Sequence, residues 1–214
     1  MALSKVNFNS MNVTPAASKA IKFNSSNNGI ETGDISGSLV LLATQTASSS
    51  ATLSFTSSID STYKEYQFHY TDIHGATDSK ELTFQGSINS GSSYALTITS
   101  SAFVSYHNEA GNSAVFEYGP NSDQAGGTGF QMISGNAGNG NDESISGILH
   151  LFDPSNTTFL KHFMGRSNCY NANDYSQDFY IAGIFNTTSA IDAIQFKMVS
   201  GNIDSGTIKM YGVK

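Results

Sequence analysis

The sequence predicts an all-β fold, a single antiparallel β-sandwich of about ten strands behind a polar N-terminal arm. Three observations lead there. Short segments alternate apolar and polar residues with period 2, the spacing that puts every second side chain on one face of an extended chain. The composition combines 14 Phe and 10 Tyr, and no Trp, with 20 Gly and abundant Ser, Thr and Asn. That is a mixture of strand formers and turn formers. Between residues 37 and 214 no amphipathic helix stands out, and no repeat points to a solenoid or a propeller. At 214 residues the chain suits one sizeable domain rather than two.

Residues 1–36 are rich in Asn and Ser, with scattered apolar positions that include Val6, Phe8, Met11, Ile21, Phe23, Ile30 and Ile35. Thr14 is a suitable N-cap and Pro15 a suitable first helical residue, so a short helix reaching Ile21 is compatible with the sequence. Two readings of the segment stand side by side. It is either an attachment arm that docks Val6, Phe8, Met11, Ile21 and Phe23 on a partner, or a loose terminus.

The sandwich is expected over residues 37–214, beginning with SLVLLAT, Ser38 to Thr44, whose length and continuous apolarity suit a core strand. Next come Ala51, Leu53 and Phe55 on one face, then Tyr66, Phe68 and Tyr70, then Leu82 and Phe84, then Tyr94, Leu96 and Ile98. Residues 99–118 are mixed, and SAFVSYHNEA within them fits either a strand or one helical turn. Residues 119–146 read as a long Gly/Asn-rich loop anchored in its middle by Phe130, Met132 and Ile133. SISGILHLFD and NTTFLKHFMGR flank DPSNT, a turn with Pro154 at its second position, and so predict a hairpin. DFYIAGIFN is a further strand. Finally, IDAIQFKMVS buries Ile194, Phe196 and Met198 on one face, SGNIDSG supplies turn residues, and the last segment buries Ile208 and Met210. These two are expected to close the fold as a hairpin.

Ten Lys and Arg against 17 Asp and Glu give a formal charge of −7, and Arg166 is the sole arginine. With no basic face, nucleic acid is not an expected partner. Cys169 is the one cysteine, which rules out an internal disulfide and fits a packed thiol. The N-terminus lacks the apolar run of a secretory signal, and no segment approaches the ~18 apolar residues of a membrane span. No membrane partner is therefore expected.

Motifs for chemistry are sparse. His150 and His162 lie in the two arms of the DPSNT hairpin, but no third zinc ligand is fixed beside them. Asp72 and His74 make a carboxylate–histidine spacing with no nucleophile motif. GNAGNGNDES matches neither the spacing of an EF-hand loop nor a tandem calcium-binding repeat. GGTGF has neither the lysine nor the strand-to-helix setting of a phosphate loop. The sequence thus predicts no catalytic residues, no metal site and no cofactor, and a protein that is not an enzyme.

SLVLLATQTASSSATLSFT, IDSTYKEYQFHYTDIH, GILHLFDPSNTTFLKHF and FNTTSAIDAIQFKMVSGNIDSGTIKMYGVK, in that order, resemble a family of virion structural proteins from marine tailed bacteriophages. The resemblance covers roughly residues 37–214. It implies a jelly-roll-like sandwich and a place in the virion, reached after synthesis in the host cytoplasm. It implies no reaction.

Two roles follow. In the first, the protein decorates or cements the capsid surface, with the arm on the major capsid protein and the sandwich projecting outward. In the second, the arm joins a tail or fibre protein, and the loop recognises a host surface receptor or glycan. Tyr118, Asn121, Asp123, Phe130, Asn139, Asn141 and Asp142 would make that contact. A homo-oligomer, a trimer foremost, suits either role, although no heptads specify one.

Overall fold

A computed structural model of the chain describes residues 19–23, 25, 26, 28–34 and 37–214. Among them are fifteen strands and no helix, and every pairing is antiparallel. The all-β sandwich predicted from alternation is what forms. Its strand count exceeds the expected ten because several strands fall where the sequence does not alternate.

Strands β1 (Lys19–Phe23) and β2 (Ile30–Asp34) form a hairpin of their own, with Phe23 opposite Ile30. The hairpin lies in a unit that ends at Ser38; Leu39–Lys214 form the second compact unit. Of the helix predicted up to Ile21, the described residues Lys19–Ile21 are strand, and the remainder lies outside the described residues. Val6, Phe8 and Met11 also lie outside them.

The second unit is built from two sheets. The smaller runs in the order β10 (Gln131–Met132), β6 (Leu82–Ser87), β14 (Ala193–Met198), β4 (Leu53–Phe55). The larger, of nine strands, begins with β3 (Leu39–Thr46), β15 (Ile203–Val213), β5 (Glu65–Gly75) and β11 (Ile145–Phe152). It continues through β12 (Lys161–Asn171), β13 (Tyr175–Phe185), β7 (Ile98–Asn108) and β8 (Ala114–Tyr118), and β9 (Ala125–Gly127) also pairs with β7. Four pairs nest within one another in sequence: β3 with β15, β4 with β14, β5 with β11, and β6 with β10. Successive pairs alternate between the two sheets. The chain therefore runs as a folded two-stranded ribbon, which β12, β13, β7 and β8 extend sideways beyond β11.

Six phenylalanines close the two sheets face to face. Phe55, Phe84 and Phe196 come from the smaller sheet, and Phe68, Phe163 and Phe185 from the larger. Phe55 meets Phe68 edge to face at 5.4 Å, and Phe84 meets Phe163 at 5.1 Å and Phe185 at 5.9 Å. These are the T-shaped contacts that aromatic quadrupoles favour. Tyr66, Tyr70, Ile208 and Met210 are fully buried beside them, as the alternation predicts.

Four expectations change. SLVLLAT is an edge strand rather than a core strand: β3 pairs only with β15, and Leu39 and Leu41 are 41% and 53% exposed. A register shift at Leu42 turns both Leu42 and Ala43 toward the core. The final two strands are not a hairpin, because β14 belongs to the smaller sheet and β15 to the larger, so the turn between them crosses the sandwich. Tyr94 and Leu96 precede β7 in an irregular segment, and residues 99–118 resolve into the β7–β8 pair. The long loop at 119–146 contains β9, β10 and the start of β11. Its middle is anchored on the body, with Ile133 buried and Met132 packed against the core.

That packing rests on buried amides. The Gln85 Nε2 donates to the carbonyls of Leu96 (3.0 Å) and Gly129 (2.8 Å), and Gln131 Nε2 donates to that of Ser122 (2.7 Å). Gln85 and Thr83 alternate with the core residues Leu82 and Phe84, yet all of β6 is buried. The outer side of the smaller sheet is thus covered by chain.

A bulge sets the inward register of β5. Thr71 pairs with Thr207 and His74 with Ser205, so Asp72 and Ile73 together oppose Gly206. Tyr70 and Ile73, three residues apart, consequently both face the core. Asp72 has φ +52° and its N–H donates to Ser146 Oγ at 3.1 Å. Gly206 has φ +110°, and a Cβ there would lie 2.5 Å from the Asp72 carbonyl oxygen. Gly206→Ala is expected to destabilise the sandwich by roughly 2 kcal/mol or more, combining backbone strain with the clash. Gly111→Ala, at φ +69° with no neighbour within 4 Å, is expected to cost about 1 kcal/mol. Chemical denaturation of both variants measures the difference.

Candidate functional site

The larger sheet turns one face to the core, and its outer face carries a cavity of about 610 Å³ over β11, β12 and β13. Strand alternation puts the site residues there. On β12, Phe163, Gly165 and Ser167 point inward, so Met164, Arg166 and Asn168 point outward. On β13 the inward Phe179 and Ile181 leave Asp178 and Tyr180 outward. On β11 the inward Leu149 and Leu151 leave Ser146, Ile148 and His150 outward. Pairing then brings Ile148 opposite Arg166, His150 opposite Met164, and Arg166 opposite Tyr180.

Ile148 and Met164 give the cavity an apolar patch. On one side Arg166 donates to Asp178 through Nε (3.0 Å) and Nη2 (2.6 Å), and Tyr180 O–H donates to the same carboxylate at 2.8 Å. The guanidinium also lies 4.9 Å from the centre of the Tyr180 ring. A planar, doubly bonded and stacked arginine is held more firmly than a lysine would be at the same position. The Arg166 guanidinium holds the Asp178 carboxyl below its ordinary value, and the Tyr180 hydroxyl adds to the effect. On the other side His150 Nδ1 lies 2.7 Å from Glu65 Oε1, which also accepts from Gln67 Nε2 at 2.8 Å. Gln67 Oε1 in turn lies 2.9 Å from His69 Nε2. Burial, with the nearby His150, lowers the pKa of His69. The arrangement can offer fixed donors and acceptors around an apolar patch.

The loop residues singled out from sequence do not share one surface. Tyr118 lies on β8, and its O–H donates to the Asp123 carboxylate, with Asn121 in the exposed turn between them. Phe130 packs near Tyr94 and receives the Lys197 ammonium 4.2 Å from its ring centre. Asn141 and Asp142 border a separate cavity of about 440 Å³ with Asp72, His74 and Glu143, and Asn139 donates to the Ala76 carbonyl at 3.4 Å. Strands β8 and β5 are far apart in the order of the sheet. Among the described residues, no three of His, Cys, Asp and Glu are grouped to hold a metal ion. His162 pairs with Ile184, and His150 with Met164, so the two histidines are not direct partners.

The groove residues were missed in the sequence because the DPSNT hairpin pairs β11 with β12, but nothing there places β13 beside them. The one available signal was the sole arginine, with Asp178 and Tyr180 at alternate positions of a later strand. No protein-family model, no curated protein and no solved structure matches this chain.

Two measurements check these environments. Arg166→Leu is expected to raise the Asp178 carboxyl toward the ordinary carboxylate range, read by carbon-detected NMR titration. Because the folded value is depressed, the stability from this pair is present above the unfolded pKa of about 4 and is lost as pH falls through the folded value. Burial pushes the Cys169 thiol up to about 12. Native protein is therefore expected to resist a thiol-reactive disulfide reagent at neutral pH, and to react only after denaturation.

Proposed function

We propose that this chain is a virion structural protein, a capsid-surface decoration or cement protein held to the particle by its N-terminal arm. The observation that carries the reading is the β1–β2 hairpin. Ile21, Phe23 and Ile30 are 45%, 75% and 42% exposed, with Phe23 and Ile30 paired across the hairpin. Apolar side chains gathered on a small hairpin outside the sandwich unit are suited to burial against a partner.

The sandwich supports the same role. Its nested pairs, alternating between sheets, support a jelly-roll-like reading of the sandwich, an architecture found among capsid and lectin domains. Fold alone does not fix a function. The phage-like blocks add the virion as its location, and the major capsid protein as the partner of the arm. Binding of this kind stabilises the assembled shell by mass action, since only assembled subunits present the site.

Ile21→Asp combined with Phe23→Asp in the full chain is expected to abolish co-sedimentation with capsids that lack this protein, while thermal unfolding of the sandwich stays unchanged. Retained binding overturns the role of the arm. Copy number in purified virions, by quantitative mass spectrometry, is expected to approach that of the major capsid protein. A few-percent abundance would instead assign the arm to a tail or fibre protein.

A further inference from the structure

We propose that the groove over β11, β12 and β13 is a binding site for a neutral saccharide. The inference stands on the groove itself and does not depend on the anchoring role of the arm. A sugar ring presents an apolar face of C–H groups and a rim of hydroxyls that both donate and accept. The groove presents the complement. Ile148 and Met164, the latter 50% exposed, supply an apolar surface within the groove.

Around that surface are hydrogen-bonding atoms that no group among the described residues engages. Arg166 uses Nε and Nη2 on Asp178, and Nη1 has no partner among the described residues. Asn168 donates through Nδ2 to Ser176 Oγ and the Gln177 carbonyl, and its Oδ1 has none. His150 meets Glu65 through Nδ1, and its Nε2 has none. These side chains are already oriented by their other bonds, so a ligand would not have to order them. One donor, one acceptor and one imidazole nitrogen around an apolar patch match hydroxyls better than they match any group of a single polarity.

Other ligand classes fit less well. An anionic sugar or a phosphate needs an uncommitted cation, but the Arg166 guanidinium is paired with Asp178, and the chain carries −7 overall. A peptide strand recognised through its backbone needs an open sheet edge, whereas β11, β12 and β13 each have a neighbour on both sides.

The test titrates the full-length protein with neutral hexaoses of glucose, mannose, galactose and N-acetylglucosamine, followed by saturation-transfer NMR and calorimetry. Polygalacturonate and carrageenan oligomers serve as acidic comparators. At least one neutral hexaose is expected to bind saturably, and Met164→Asp and Arg166→Leu are each expected to weaken it about tenfold or more. Both positions are on the exposed face, and unchanged circular dichroism and melting establish that each variant folds. Asn168→Ala provides a third variant if either fails to fold. The proposal is overturned if no neutral hexaose binds at millimolar concentration, if only the acidic oligomers bind, or if binding survives all folded variants.

Discussion

The interlock of phenylalanines between the two sheets is the contact on which the remaining architecture depends. Phe84 sits in the second strand of the smaller sheet and meets Phe163 and Phe185, which come from two adjacent strands of the larger one. Phe68 bridges Phe55 and Phe196 in the same manner. Each ring touches the opposite layer through an edge or a tilted face, so one layer cannot slide past the other without opening several contacts together. Truncating any one of them removes both burial and its partners' support, a loss of about 3–5 kcal/mol for a buried Phe.

This interlock uses one face of each sheet, and the two remaining faces are treated differently. That of the smaller sheet is roofed by the segments around Leu96 and Gly129, tied down by Gln85. That of the larger sheet carries Arg166, Asp178, Tyr180, Ile148 and Met164 at a cavity. Polar bonding is thus spent on closing one side and on orienting side chains at the other. Sideways extension of the ribbon by β12 and β13 is what makes the second face broad enough to hold a groove.

The legible part of the fold was the inward register of single strands. Tyr66, Phe68 and Tyr70, and likewise Ile194, Phe196 and Met198, alternate in the sequence and are buried in the structure. What could not be read was anything set by a neighbour. The bulge at Asp72 depends on Gly206 in a strand more than a hundred residues later, and the edge position of β3 depends on which strands fail to pair with it. The segment around Gln131 looked like a loop because its fixing bonds run from side-chain amides to backbone carbonyls, a pattern with no periodicity. The groove was hidden for the same reason. Its members alternate correctly on three separate strands, and only the pairing of those strands makes them neighbours.

The outermost nested pair has a consequence for synthesis. Leu39–Thr46 pairs only with Ile203–Val213, so the first strand of the sandwich waits for a partner made far later in synthesis. Local pairs such as β12 with β13 and β7 with β8 can form as they leave the ribosome, whereas β3 with β15 closes a loop of over 150 residues. Until then Leu42, Ala43 and the inner face of β5 are open to other nascent chains. A ribosome that delays on the stretch before Ile203 would lengthen that exposure, and assembly of this sandwich is tied to the synthesis of Ile203–Val213 in a way that a meander of adjacent hairpins is not.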